Sequence, residues 1–417
     1  MLTQYIGSLQ GKTLLIIGAG HEQVPAIEIA KSAGIKVLVT DLNPNAPGAK
    51  LADVFAPIST ADKDQTLAFA EQAGIQGVMT LSSELAVPVV AYVAEKLGLN
   101  SGLNQEIALK ATNKNEMHQA FLLNQTPCAE SIKLNRLHEL LSFVRRVGFP
   151  VVLKPSDSSG QKGVGIFSEI SELEVALQEA IDFSSDGFAI AEEYIEGPEI
   201  NVTAMVQNGD VNFLSFSHRV TASAPHFGIA IDHIAPPPIS TDLLKEVKIA
   251  AEKAIHAIGL KNGIAYPQII ASESRGAKVL EIAARIPGGY MRDVALLLSG
   301  VDMIEVMICQ SLGVHLPFEV FQNYPSYPAV HVKFLTELDY PELKRVSVVS
   351  GFANQYSYPD INTESGVLLS ECRLQAGMTI PSLTSSSARF AAIIGYGATL
   401  EQADAQIEHA QKQTEIA

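Results

Sequence analysis

The chain has 417 residues, 47% of them hydrophobic and 18% charged, so it is globular rather than disordered and long enough for two to four domains. Its formal net charge of −16 argues against nucleic acid as a partner, while leaving room for a local cluster of lysines and arginines around a phosphorylated small molecule. Cys128, Cys309 and Cys372 stand far apart without metal-ligand spacing, which argues against structural zinc and a disulfide framework and fits a reducing, cytoplasmic setting. Met1 to Gln10 shows no leader pattern. The apolar stretch Val294–Ile308, broken by Ser299, Gly300, Asp302 and Glu305, predicts a buried amphipathic helix rather than a membrane span.

Residues 12–100 alternate strand and helix patterns, with apolar strands at 13–17, 36–40, 54–56 and 77–80 and helices between them. That order predicts a doubly wound α/β sheet of Rossmann type. Gly18-Ala19-Gly20 followed by Asp41 is a partial dinucleotide fingerprint, and a dehydrogenase would use it. Gln23 stands where the third glycine belongs, and its bulk crowds the pyrophosphate position, so a nucleotide-free turn is the stronger reading.

One helix is expected over 104–125, with Thr112 to Met117 inside it, and another over 136–147. Val151-Val152-Leu153-Lys154-Pro155 then reads as a strand and Val164 to Phe167 as its partner. The joining tip, Ser156 to Gly163, is rich in serine and glycine. Glycines let backbone N–H groups approach an anion, and Lys154 and Lys162 add positive charge, so the hairpin suits a polyphosphate; a solvated tip is an equal reading of this stretch alone. A helix over 171–183 follows. Ala189 to Val202 is a strand, a Gly-Pro turn and a strand carrying Glu192, Glu193, Glu196 and Glu199. Residues 200–235 read as antiparallel strands, 241–258 as a long helix, and 263–270 with 277–283 as a strand pair running into Arg285 and Gly288-Gly289. A proline-rich junction at 317–328 precedes short strands at 329–335, 345–352, 366–371 and 389–396 and a closing helix at 400–414.

The ordered set Lys114, Lys154 with its glycine loop, Glu192 to Glu199, Gln268, Glu281 and Arg285 resembles the ATP-grasp superfamily of carboxylate–amine and carboxylate–thiol ligases. The likeness covers nearly the whole chain. The tail Arg389 to Ala403 is similar to the C-terminal domain of biotin carboxylase-like and L-amino acid ligase-like members. The resemblance implies an α/β architecture in three parts: an N-terminal Rossmann-like domain at 1–105, an ATP-grasp α+β domain at 106–322 divided at 188/189 into a small lid subdomain and a larger one, and a small C-terminal α+β domain at 323–417.

It also implies roles. Lys114 and Lys154 contact ATP phosphates, and Ser158, Ser159 and Gly160 form the lid. Glu192, Glu193, Tyr194 and Ile195 form the adenine hinge, and Glu199 takes the ribose. Glu281 and Gln268 hold Mg²⁺, or Mn²⁺, and Arg285 with Lys154 acts on the transferring group. His233, Arg292, Gly288 and Gly289 are the candidates for a substrate pocket, with Arg219 and His226 behind them. The chain departs from the family at Gln268, where a glutamate is common, and at Ala283, where an asparagine is common, so metal affinity is expected to be lower. The implied activity joins a carboxylate, activated as an acyl phosphate, to an amine, with two amino acids as the preferred pair and a homodimer as the expected assembly. The alternatives are a purine-pathway type of ligase and a nucleotide-binding regulatory protein with a weakened metal site.

Overall fold

The computed structural model describes residues 6–156, 163–223, 226, 228–359 and 363–417. The N-terminal part is a parallel sheet of order β3-β2-β1-β4, formed by β1 (Thr13–Ile17), β2 (Lys36–Thr40), β3 (Val54–Ala56) and β4 (Gly77–Thr80). β1, β2 and β4 each bury four residues in succession, because helices cover both faces. Alternate residues serve the two sides. Leu14, Ile16, Val37 and Val39 face the helices Val24–Ser32 and Met303–Ser311. Leu15, Ile17, Leu38 and Val78 face Lys63–Ala73 and Val87–Leu97.

A second sheet, of order β5-β8-β6-β7, is formed by β5 (Ser131–Leu134), β6 (Val151–Pro155), β7 (Gly165–Phe167) and β8 (Ala189–Glu193). Its apolar face packs on the helices Leu137–Val147 and Leu173–Asp182. The expected β6–β7 hairpin forms, with Val151 opposite Phe167, but its tip, including Ser158, Ser159 and Gly160, lies outside the described residues.

The third sheet is antiparallel and eight-stranded, of order β13-β12-β9-β10-β11-β14-β17-β16. Its strands are β9 (Glu199–Gln207), β10 (Asp210–Thr221), β11 (Ala230–Ala235), β12 (Gly263–Ser272), β13 (Gly276–Ala283), β14 (Ala329–Leu335), β16 (Gly366–Cys372) and β17 (Ala391–Gly397). β14, β16 and β17 therefore extend the same sheet as the β12–β13 hairpin. The pair β15 (Val349–Ser350) and β18 (Glu415–Ile416) stands apart.

Two expected helices are each two. Residues 104–125 split into Gln105–Thr112 and Lys114–Leu123, because the Asn113 carboxamide accepts from the N–H groups of Asn115 and Glu116 and so caps a new helix. The stretch 294–308 breaks at Gly300, which adopts φ +72° between Met291–Ser299 and Met303–Ser311. No helix among the described residues is long and apolar enough to cross a membrane.

Candidate active site

The chemistry collects in a cleft where the carboxyl ends of β1 and β4 meet the third sheet. The strand order reverses between these two strands, so their loops diverge and leave a crevice. The segment after β13 closes onto it: Ser82 N donates to Ile286 O at 3.0 Å, next to a parallel bridge from Leu81 to Ile286.

Lys114 opens its helix, a position where the helix dipole disfavours a cation. Burial pushes its ammonium pKa down. Glu281 opposes that shift most, Lys154 adds to it, and Glu192 and Glu84 oppose it. These five side chains therefore share one electrostatic field. Lys154 projects from β6 on the face opposite Val151 and Leu153 and forms a 2.6 Å ion pair with Glu192. Lys114, Lys154 and Glu192 rim a slot walled by the apolar side chains of Met117, Phe121, Val279 and Leu280. His118 and Cys128 also line it, 3.9 Å apart. Burial lowers the imidazole pKa and raises the thiol pKa, so both are neutral rather than a nucleophilic pair.

Glu193 is held in the ladder, its N–H on Glu130 O at 2.9 Å, and its carboxylate pairs with Arg275. Tyr194 and Ile195, between β8 and β9, lie outside the ladder. Glu199 accepts from Arg219 Nη1 at 2.9 Å, and burial still pushes its carboxyl pKa up.

Gln268 and Glu281 are direct partners across β12 and β13, so their side chains share a face beside a bulge that follows Gln268. Among the described residues no group of three or more His, Cys, Asp or Glu could by itself hold a metal. One carboxylate with one carboxamide oxygen still suits Mg²⁺, which takes most of its ligands from water and phosphate. The lysine pair likewise suits a polyphosphate. Arg285 donates from Nε (2.9 Å) and Nη2 (2.7 Å) to Glu84 Oε2.

Of the substrate candidates, His233 and the Gly288-Gly289 turn come together. A Cβ at Gly289 would lie 3.6 Å from His233 Nε2 and 3.7 Å from Arg389 Nη2, and one at Gly288 would lie 3.3 Å from Ser82 Oγ. His233 is buried, its ring edge-on to Phe334, and desolvation holds its pKa well below the usual range, so it is neutral. Arg292 does not join them. It is buried in an internal ion pair with Asp302 at 3.0 Å from Nε, and it also touches Asp293. His226 Nδ1 lies 2.7 Å from Leu383 O.

The partial dinucleotide motif is also filled from within. Gln23 lies under Gly18 and Gly20 and donates to Leu81 O at 2.6 Å, while Asp41 accepts from Ala19 N at 3.0 Å. The sequence reading missed Glu22, Ser82, Glu84 and Arg389. The first three follow β1 and β4, and the strand-order rule could have pointed to them.

This fold and cleft define an α/β protein with a crevice between a lysine-bearing sheet and an acidic hairpin. The chain belongs to the family described as carbamoyl-phosphate synthase L chain, ATP binding domain, which matches residues 111–319, and its fold is the ATP-grasp fold. It is similar to alanine–anticapsin ligase of Bacillus subtilis, at 24% identity over 279 residues, 60% of this chain and 58% of that protein. The chain thus spans about three-fifths of the length of that relative. Among solved structures it resembles phosphoribosylglycinamide synthetase from Anaerococcus prevotii (TM-score 0.78, 21% identity, 97% of this chain and 99% of that one). It equally resembles L-amino acid ligase from Bacillus licheniformis (TM-score 0.78, 20% identity, 98% and 99%). A third likeness is to the biotin carboxylase domain dimer of the Hydrogenobacter thermophilus 2-oxoglutarate carboxylase, in complex with MgADP, ADP and bicarbonate (TM-score 0.77, 19% identity, 97% and 90%).

Proposed function

We propose that the protein is an ATP-dependent carboxylate–amine ligase whose substrates are amino acids and whose product is a dipeptide or peptide-like molecule. The observation that carries this is the convergence of Lys114, Lys154, Glu192 and Glu281 in one cleft, with Arg285 beside Glu84 on its wall. An amide forms from a carboxylate only after its oxygen becomes a leaving group, and transfer of the γ-phosphoryl group makes it one. That transfer needs charge neutralisation and alignment more than covalent help.

In this reading Lys114 and Lys154 bind phosphate oxygens, the backbone of Tyr194 and Ile195 reads the adenine edge, and Glu199 takes the ribose. Glu281 and Gln268 would hold Mg²⁺, or Mn²⁺, which supplies charge neutralisation on the phosphates. Arg285 stabilises the acyl phosphate, oriented by Glu84. The parts 1–105, 106–322 and 323–417 act as the N-terminal, nucleotide-binding and C-terminal domains of a cytoplasmic homodimer.

A phosphate- and ADP-release assay over all pairs of the common L-amino acids, with ATP and Mg²⁺, tests the reading. Release is expected only when a carboxylate donor and an amine acceptor are both present. ATP binding without turnover for any pair would overturn it in favour of a nucleotide-binding regulatory protein, a reading that rests on Gln268 standing in the metal position.

A further inference from the structure

The cleft holds two opposite charges with no ion-pair partner among the described residues, Glu22 and Arg389. Every other arginine beside them is engaged: Arg219 with Glu199, Arg285 with Glu84, and Arg373 with Glu371 at 3.5 Å. Arg389 is oriented by main-chain contacts, Nε to Ser386 O at 2.9 Å and Nη1 to Ala230 O at 3.5 Å, and its guanidinium lies 3.9 Å from the ring centre of Phe334. It is thus a partly buried cation placed over an aromatic face.

Glu22 follows β1 and, among the described residues, receives one long contact, from Ser82 Oγ at 3.4 Å. Glu22 is an exposed residue, and the protein around its carboxyl still raises its pKa by desolvation, against the pull of Arg373 and Arg389 and with Glu371 reinforcing the rise. Glu22 and Arg389 feel each other's charge but do not meet. Between them lies the Gly288-Gly289 turn: a Cβ at Gly288 would be 3.9 Å from Glu22 Cδ, and one at Gly289 would be 3.7 Å from Arg389 Nη2. An anion and a cation kept apart across a turn without side chains match a small zwitterion.

Building on the ligase reading, we propose that Glu22 and Arg389 form the subsite for the amine partner, an α-amino acid whose free α-carboxylate is clamped by Arg389 and whose ammonium is held by Glu22. The carboxylate on Arg389 is thereby kept away from Arg285 and the phosphate lysines, so it is not the one activated, and the product retains it. Glu22 takes one proton from the ammonium. The freed nitrogen lone pair attacks the acyl carbon, the C–N bond forms, and the carbon–oxygen bond to phosphate breaks. The nitrogen's second surplus proton leaves with the phosphate.

The test uses the full-length protein and the acceptor found in the pairwise amino-acid screen, compared with the C-terminal amide of that acceptor. Wild type is expected to favour the acid over the amide by at least tenfold in kcat/KM. Arg389→Met is expected to raise the acceptor KM at least tenfold and abolish that preference, leaving the KM for ATP within twofold. Glu22→Gln is expected to lower kcat at least tenfold with the same ATP KM. The acid-to-amide ratio is internal to each variant, so partial misfolding does not imitate the effect. Turnover by wild type with the ratio unchanged in Arg389→Met overturns the subsite and leaves the ligase reading standing. No turnover by wild type with any pair overturns the ligase reading and the subsite together.

Discussion

At the scale of single residues, the cleft is built from charges that hold one another in place. Lys154 and Glu192 are only 13% and 16% exposed, so neither is easily left alone. Lys154→Met removes the proposed phosphate contact and also strands Glu192. A charge-assisted contact is worth about 1.5–3 kcal/mol, so a nucleotide titration should show ATP affinity falling about tenfold or more. The double variant Lys154→Met/Glu192→Gln should bind ATP as weakly but melt at a higher temperature than the single one; equal melting would show that the pair is not coupled. Asp293 carries a second residue-scale consequence. Burial pushes its carboxyl up to about 7 from the ordinary 3.8, against the pull of Arg292. The folded protein therefore keeps this proton at a pH where the unfolded chain has lost it. Stability from this group is greatest below the ordinary value and is lost as pH rises towards about 7, then stays level. Thermal melts from about pH 5 to 8 should show the gap between wild type and Asp293→Asn changing up to about pH 7 and not beyond; a constant gap would contradict the shift.

At the scale of elements, most strands and helices were legible because periodicity and length agree: the helix Thr241–Ile258 and strand Ala329–Leu335 fall where the apolar pattern puts them. The break at Asn113 was not legible, because both flanking segments have helical composition and the decision lies in one carboxamide turning back on the main chain. That break has a use. It makes Lys114 the first residue of a helix rather than an interior one. Asn113→Ala should cost about 0.5–2 kcal/mol in a denaturant melt, as lost N-caps do. It should also weaken ATP binding by more than a remote variant of equal stability cost, such as Asn104→Ala at the preceding cap; matched affinities would mean the cap does not position Lys114. Arg292 has a partner that its sequence neighbourhood does not reveal. An arginine beside a double-glycine turn resembles a ligand contact, but its partner Asp302 lies one helix later, and only the fold brings them together.

At the scale of the whole molecule, one hydrophobic cluster crosses the expected boundary at 105 and another crosses the one at 322. Every residue of the helix Met303–Ser311 is buried. One side packs against Leu14, Ile16 and Ile27 of the N-terminal layer, and the same cluster continues through Met205, Leu214 and Ile264 of the eight-stranded sheet. The helix is therefore mortar between two sheets, which explains a sequence so apolar that it first reads as one long amphipathic segment. Separately, the Ser82–Ile286 hydrogen bond and the Arg285–Glu84 pair tie the loop after β4 to the segment that carries Arg285. Deleting residues 1–105 would uncover Met303, Ile304, Met307 and Ile308. At about 1.5–3 kcal/mol for each buried side chain, that loss is on the order of 6–12 kcal/mol, the size of a typical net folding stability. Cys309 reports on this directly. It is fully buried, and its thiol pKa is pushed up to about 12, so it should resist alkylation in the full chain. In the truncated chain, mass-mapped alkylation should reach Cys309 within the time that modifies the half-buried Cys128 and Cys372. A truncated protein that stays monomeric, melts cooperatively and still protects Cys309 would show that the nucleotide-binding part folds alone and that the shared helix is not what joins the two sheets.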